Sequence, residues 1–162
     1  LYSRRRFDTD LAALVEAAAL ASAPLALLML DIDGIKSIND AHGHAAGDTV
    51  LRVLGDRLRQ SLRTPRDIAA RIGGDELMVV LRGVRDADNA LRAAEMLRCR
   101  VADPIPFAGG TIQATVSVGV ALAGLHESVD ALLARADEAM YQAKKAGRDR
   151  VTAIGQPPSA VA

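Results

Sequence analysis

The chain contains Arg71-Ile72-Gly73-Gly74-Asp75-Glu76-Leu77 between two apolar runs, residues 68–70 and 77–81. Apolar runs on both sides of two glycines predict a β-hairpin with Gly73 and Gly74 at its tip. Glycine takes positive φ without steric cost and leaves the backbone open to a nearby phosphate. We therefore expect these glycines to turn the chain and to approach a phosphate group.

Two acids, Asp75 and Glu76, follow the glycines directly. Adjacent carboxylates repel each other, and a hard divalent cation that also binds a phosphate would offset that repulsion. A solvated tight turn is the alternative, and the tetrapeptide alone does not exclude it.

A second acidic position follows the apolar run of residues 25–30, which Pro24 precedes and Asp31 ends. A continuous apolar run of this length predicts a central strand that is buried on both faces. Its carboxylates would emerge at the strand end. If this strand and the hairpin share one sheet, Asp31 and the pair Asp75 and Glu76 can converge on one metal site, as nucleotidyl transfer requires.

Seven short blocks, in this order along nearly the whole chain, give it a close resemblance to the GGDEF domain of diguanylate cyclases. The blocks are Leu1-Tyr2-Ser3-Arg4-Arg5-Arg6-Phe7, Asp31-Ile32-Asp33-Gly34-Ile35-Lys36-Ser37-Ile38-Asn39-Asp40, Gly43-His44-Ala45-Ala46-Gly47-Asp48, the segment Arg71 to Leu77, Ser117-Val118-Gly119-Val120, Ala136-Asp137-Glu138-Ala139-Met140-Tyr141, and Ala143-Lys144 with Gly147-Arg148. The resemblance implies an α+β fold with a central, mostly antiparallel sheet flanked by helices. This palm-like fold, with a ferredoxin-like core, is related to the catalytic domains of adenylyl cyclases.

The resemblance also implies a reaction, the condensation of two GTP molecules into cyclic di-GMP with release of two pyrophosphates. Each 3′-hydroxyl would attack the α-phosphate of the other nucleotide. Magnesium, with manganese as the alternative, would be held by Asp31, the carbonyl of Ile32 and Asp75. Asp75 or Glu76 would accept the hydroxyl proton, and the sequence does not separate these two roles.

Further substrate-binding positions follow from the same resemblance. Asn39 and Asp48 would bind the guanine edge, and His44 would line the nucleotide pocket. Lys36 would lie near the phosphates, and Lys144 and Arg148 would contact the triphosphate. Gly73 and Gly74 would let the hairpin backbone meet the nucleotide. Without the resemblance, each of the polar positions has a structural alternative. Asn39 could end a helix, Asp48 or His44 could cap one, and Lys144 and Arg148 could interact with a helix C-terminus.

The chain departs from the family pattern at three places. Leu77 replaces the usual Phe of the signature, and Gly34-Ile35 replaces a polar-aromatic pair beside the nucleotide. Of the R-x-x-D pair through which many members bind product, only Asp67 is present, because Thr64 stands at the Arg position. This last departure weakens the case for product inhibition.

Composition bounds the function classes. The chain has 162 residues, 50% of them hydrophobic but only 2% aromatic, and its formal net charge is zero. These values fit one domain with an aliphatic core, and they argue against nucleic-acid binding through a basic surface or aromatic stacking. We expect a domain over residues 1–154 and a disordered tail over 155–162. The third His, His126, and the single Cys, Cys99, are far from His42 and His44 in the sequence and support no zinc site there.

We expect three partners: GTP, a second copy of the domain and an upstream sensory domain. One pocket holds one GTP, so reaction requires a homodimer, which can be transient. We expect the upstream domain because the chain begins inside the family's N-terminal signature. The apolar stretch 11–30 is interrupted by Glu16 and Pro24 and predicts no membrane insertion; with no signal peptide, we expect a cytoplasmic domain, even if the full-length protein is membrane-tethered.

Two other functions remain open from the sequence. The first is a catalytically weak or inactive GGDEF domain that binds GTP as a regulatory module. The second is a purely structural or dimerisation module.

Hydrophobic periodicity predicts helices over residues 4–21, 35–40, 43–62, 86–101 and 129–144. Alternating apolar and polar residues from Thr111 to Leu122 predict one half-buried strand, with Thr115 and Ser117 on its polar face.

Overall fold

The computed structural model describes residues 1–20 and 22–155, so the predicted tail lies outside the described residues from position 156 onwards. In chain order the elements are β1 (Tyr2–Ser3), α1 (Arg4–Leu20), β2 (Leu25–Asp33), α2 (Ile35–His42), α3 (His44–Gln60), β3 (Ile68–Arg71), β4 (Glu76–Arg82), α4 (Ala87–Val101), β5 (Ile105–Phe107), β6 (Gly110–Ile112), β7 (Thr115–Leu122), α5 (Val129–Lys145) and β8 (Arg150–Ala153). Among these described residues, none of the helices combines the length and the apolar character needed to span a membrane.

The main sheet has the strand order β1-β3-β4-β2-β7-β8. Its three inner pairings, β3 with β4, β4 with β2 and β2 with β7, are antiparallel. The two edge pairings, β1 with β3 and β7 with β8, are parallel. Strands β5 and β6 form a separate hairpin. The predicted fold class, a mostly antiparallel sheet flanked by helices, is confirmed.

Each face of the sheet carries its own hydrophobic layer. Residues Leu28 and Leu30 of β2 pack in one cluster with α3 and α4. Residues Leu27 and Met29, on the other face of the same strand, pack with α1 and α5. Helices on both faces thus bury β2 from Leu25 to Ile32, which confirms the prediction from its continuous apolar run.

The prediction of a single half-buried strand near the C-terminal end was wrong. The chain breaks at residues 113–114, between β6 and β7. Strand β7 is buried on both faces because α4 and α5 both contact it, and Ser117 has no exposed surface. The β5–β6 hairpin was not predicted, since its prolines and glycines indicated only a break in the pattern.

Gly119 sets how closely α5 approaches the sheet. A Cβ atom at this position would lie 2.1 Å from the carbonyl oxygen of Ala136 and 2.2 Å from the backbone nitrogen of Met140. Only a residue without a side chain allows this separation. The helix therefore lies directly against β7, with its C-terminal end, at Lys145, near the end of β2.

Candidate active site

The acidic groups that are separated in sequence meet at one end of the sheet. Antiparallel pairing of β2 with β4 places Asp31 opposite Glu76. One residue further, the N–H of Ile32 donates a hydrogen bond of 3.0 Å to the carbonyl of Asp75. The predicted convergence of Asp31 with the hairpin acids is therefore present in the structure.

The backbone of Ile32 adds an oxygen to this group. In an antiparallel strand the N–H and C=O of one residue point to the same side, so the Ile32 carbonyl also faces the hairpin tip. Asp75 does not return a hydrogen bond from its N–H to this carbonyl. The oxygen is thus available to a ligand beside the carboxylates of Asp31 and Asp75.

These donors fit a hard divalent cation. Two carboxylates and a carbonyl are oxygen ligands, and Mg²⁺ is commonly bound by one or two carboxylates together with substrate phosphates and water. Within residues 1–20 and 22–155 no cluster of three or more His, Cys, Asp or Glu side chains could hold a metal by itself. A metal at this point would depend on oxygens of the bound substrate.

Asp31 forms an ion pair with Lys144 of α5, and the Nζ to Oδ2 distance is 2.7 Å. Only 11% of the Asp31 side chain is exposed, and this burial raises the pKa of its carboxyl group. The hydrogen bond and charge of Lys144 oppose the rise, whereas the carboxylates of Asp75 and Asp33 add to it. The site has an excess of negative charge and favours a second cation.

The hairpin tip differs from the prediction in its backbone. Gly73 and Gly74 are not among the residues with positive φ. The loop extends over the four residues 72–75 rather than over the two glycines alone. At this length it reverses the chain without a left-handed residue. A Cβ at Gly73 would lie 2.8 Å from Oε2 of Glu76, the flexible end of that side chain, so an added side chain would displace this carboxylate; a Cβ at Gly74 would meet no atom within 4 Å.

Arg71 supports the tip, and the sequence reasoning gave it no role. Its Nε donates to the carbonyl of Gly73 at 3.1 Å, and its Nη2 donates to the carbonyl of Gly74 at 2.7 Å. The available signal was a cation at the end of the strand that leads into the tip. By holding both carbonyls, Arg71 fixes the loop from which Asp75 emerges.

Asn39 on α2 presents an unsatisfied polar atom. Its Oδ1 is buried and has no hydrogen-bond partner. Gly47 of α3 lies against it, and a Cβ at position 47 would be 2.0 Å from this oxygen. A buried amide oxygen without a partner costs free energy, so a rotation of the Asn39 side chain that brings this oxygen to a donor on a ligand is favoured.

The other predicted positions on α2 and α3 are exposed. Lys36 lies on α2, His44 is the first residue of α3 and Asp48 is the fifth. Gly43 precedes the helix, and no side chain caps it. Helix capping therefore explains neither His44 nor Asp48. Asn39 does not end α2 either, since the helix continues to His42.

The end of α5 presents two cations differently. Lys144 turns to Asp31, whereas Arg148 is exposed and has a left-handed backbone with a φ of 63°. Gly147, with a φ of 117°, follows the cap residue Ala146 and ends the helix.

Asp67, the remaining half of the R-x-x-D pair, is buried. Its carboxylate accepts hydrogen bonds from the backbone N–H groups of Arg63, Thr64 and Arg82. The side chain of Arg63 also pairs with it at 3.4 Å. Asp67 thus joins the α3–β3 connection to β4.

A cavity of about 740 Å³ lies between the end of α3 and α4. None of the predicted site residues lines it. Its walls include Arg63, Met96 and Cys99. The candidate active site is instead at the Asp31 end of the sheet, beside the hairpin tip.

The chain matches a known family over most of its length. The family model described as "Diguanylate cyclase, GGDEF domain" matches residues 1–150. Response regulator PleD of Caulobacter vibrioides is 43% identical over 155 residues, a match that covers 93% of this chain and 34% of PleD. Diguanylate cyclase A of Treponema denticola is 42% identical over 130 residues, covering 79% of this chain and 34% of that protein. The chain spans about a third of the length of these relatives.

Solved structures show the same likeness. The GGDEF domain of YfiN (TpbB) from Pseudomonas aeruginosa superimposes with a TM-score of 0.90 at 37% identity, covering 97% of this chain and 98% of that one. The GGDEF domain of DgcB from Caulobacter crescentus, crystallised in complex with c-di-GMP, gives a TM-score of 0.88 at 32% identity, covering 94% and 91%.

Replacing Asp31 by Asn should stabilise the domain in metal-free buffer at neutral pH. Because the pKa of Asp31 is raised in the folded state, the folded domain binds this proton more tightly than the unfolded chain does. The stability of the wild type relative to Asp31→Asn therefore falls as the pH rises through this pKa. We expect the variant to melt at a higher temperature at about pH 7, and the difference to shrink towards about pH 4.

Thermal unfolding followed by circular dichroism with a chelator measures this difference. Asp88→Asn, which changes an exposed acid on α4, is the matched control and should show no such pH-dependent gain. A melting temperature of Asp31→Asn below that of the wild type at neutral pH would contradict the assignment of a net burial cost to Asp31.

Proposed function

Because the chain belongs to the diguanylate cyclase GGDEF domain family, we propose that it condenses two molecules of GTP into cyclic di-GMP and two molecules of pyrophosphate. The observation that carries this proposal is the pairing that sets Asp31 and the Ile32 backbone against Asp75 and Glu76. The domain responsible comprises residues 1–154.

Asp31, the Ile32 carbonyl and Asp75 are the residues that would hold a divalent metal, which we take to be magnesium, with manganese as the alternative. Bound there with the substrate, the metal would lower the pKa of the 3′-hydroxyl and neutralise charge on the phosphates. Two observations support this assignment. The pKa of the buried Asp31 carboxyl group is raised, so a cation beside it would stabilise its ionised form. The Ile32 carbonyl accepts no hydrogen bond from the N–H of Asp75, so its oxygen can bind a metal.

Asp75 or Glu76 accepts the proton of the attacking 3′-hydroxyl. Both leave the hairpin tip, and Glu76 lies opposite Asp31 across the β2–β4 pairing. Arg71 keeps the tip in place through the two glycine carbonyls. Gly73 and Gly74 give the nucleotide close access to the backbone, and the open space around Gly74 supports this role.

The guanine base is bound by the α2–α3 pair. The orphan oxygen of Asn39 accepts a hydrogen bond from the N–H groups of the guanine edge, together with exposed Asp48. His44, at the start of α3, lines the same pocket. These acceptors suit guanine because its N1 and exocyclic N2 are donors.

Three cations bind the phosphates. Lys36 reaches them from α2, and Lys144 and Arg148 reach them from the end of α5. Lys144 pairs with Asp31 and can turn to a phosphate oxygen once Asp31 is a metal ligand. Arg148 is exposed and can make paired hydrogen bonds to phosphate oxygens.

Each domain binds one GTP, so two copies must face each other for both 3′-hydroxyls to attack. The active species is therefore a homodimer, which need not be permanent. An upstream sensory domain would control how often the two domains meet, in a protein whose GGDEF domain lies in the cytoplasm.

Replacing Asp75 by Ala should abolish product formation. The change removes a metal ligand and a candidate base, and the loss of a general base alone lowers rates by about 10²–10⁴-fold. Cyclic di-GMP is measured by chromatography after incubation with GTP and magnesium, and Asp88→Ala serves as the control on a remote helix. Wild-type protein that binds GTP but leaves it unchanged at high concentration would instead favour a regulatory module, and absence of binding would favour a structural one.

The rate per domain should rise with protein concentration. Two bound nucleotides react only when two domains meet, so at low concentration the total rate should increase with the square of the protein concentration. Pyrophosphate release over a wide dilution series measures this order. A rate strictly proportional to protein throughout the series would rule out the two-domain mechanism.

Replacing Gly47 by Ala should weaken GTP binding by displacing Asn39. The new Cβ would lie 2.0 Å from the Asn39 oxygen and would displace this side chain. A lost hydrogen bond to a buried partner costs about 1–3 kcal/mol, so the KM for GTP should rise by about 5-fold or more. Gly55→Ala on the same helix is the control, because its Cβ would meet only the flexible Leu1 side chain. An unchanged KM in Gly47→Ala would contradict the role of Asn39 in binding the base.

A further inference from the structure

The turn between α5 and β8 has an unusual backbone. Arg148 and Asp149 are consecutive residues with left-handed φ angles of 63° and 44°. Residues with a Cβ pay a steric penalty in this region and persist there when the surrounding structure restrains them. Two such residues in sequence, at the position of a proposed phosphate-binding arginine, call for an identifiable restraint.

Asp33 supplies the first restraint. Its Oδ2 accepts a hydrogen bond of 3.1 Å from the backbone N–H of Asp149. The same carboxylate accepts from the hydroxyls of Thr115, at 2.8 Å, and Ser117, at 2.6 Å. These hydroxyls lie on β7, beside the end of β2, so the central sheet holds the turn directly.

Arg98 supplies the second restraint from the opposite side. Its guanidinium forms an ion pair with the side chain of Asp149 and bonds to Glu95 on its own helix. Only 17% of the Arg98 side chain is exposed. Asp149 is therefore held at two points. Asp33 binds its backbone N–H, and Arg98 of α4 binds its side chain.

We propose that Asp33 and Arg98 are positioning residues that hold the α5–β8 turn in the conformation that directs Arg148 at the triphosphate. The inference rests on the proposed function, because it takes Arg148 as a phosphate ligand. We assign neither residue a contact with the substrate. Asp33 already binds three donors of the chain through its two oxygens, and Arg98 lies on α4 with its guanidinium engaged by two carboxylates.

The test is a double-mutant cycle between Arg98 and Arg148. Removing Arg98 should raise the KM for GTP by about tenfold with a smaller change in kcat, an effect in the range expected for contacting residues in one network. In an Arg148→Ala background, removing Arg98 should change the KM little further, because the residue it positions is already absent. Asp149→Ala should reproduce the Arg98→Ala effect, and Arg98→Lys should restore part of it.

Asp33→Asn gives an independent arm. It keeps the size of the side chain but has one acceptor oxygen for three donors, so we expect a raised KM that also disappears in the Arg148→Ala background. Arg100→Ala, an exposed arginine on α4, is the matched control and should leave KM unchanged. Melting temperatures identify variants that fail to fold; if Arg98→Ala is one of them, Arg98→Lys and Asp149→Ala decide.

The outcomes separate this inference from the proposed function. A wild type that makes no cyclic di-GMP overturns the proposed function itself. An active wild type whose KM is unchanged by Arg98→Ala and Asp149→Ala overturns the positioning role. Equal losses of activity from Arg98→Ala in the wild-type and Arg148→Ala backgrounds also overturn it, because the residue would then act only on general stability.

Discussion

The register between β2 and β4 is the constraint on which the site depends. Both strands are apolar on both faces, so alternation of side chains does not select their alignment. A shift of one residue would send every side chain to the opposite face and would separate Asp31 from the hairpin acids. One backbone hydrogen bond, from the N–H of Ile32 to the Asp75 carbonyl, extends this alignment into the hairpin loop, and another, from the N–H of Ile72 to the Glu76 carbonyl, closes the loop between β3 and β4. The hairpin loop therefore determines where the acids meet.

The sequence predicted what long patterns encode and failed where pairing partners are distant. Continuous apolar runs and helical periodicity located β2 and the major helices, and the motif blocks located the acids. The two- and four-residue edge strands β1 and β8 pair in parallel with strands far along the chain, so no local pattern indicates them. The polar residues of β7 suggested a solvent face, but Thr115 and Ser117 satisfy their hydroxyls on Asp33 inside the fold. Likewise, nothing local distinguishes a two-residue turn at Gly73 from the longer loop that forms.

The charges at the candidate active site are arranged so that the domain folds with its carboxylates partly neutralised. The carboxylates of Asp33 and Asp75 add to the rise in the pKa of Asp31, and Lys144 supplies the compensating charge to Asp31. Asp33 differs from Asp31 in having three donors from the chain, which makes it part of the framework. Two acids separated by one residue on the same strand thus have different chemistry because of what surrounds them.

The absence of a side chain at Gly119 determines the spacing between α5 and the sheet as firmly as any bond. Lys144 can reach Asp31 only because the helix backbone lies this near to β7. In a saturation mutagenesis experiment, Gly119 should therefore be as intolerant as the acids, although it carries no reactive group. A position in this domain can be intolerant to substitution because it sets the geometry or because it carries a reactive group. Whether the substituted protein still folds distinguishes these two reasons.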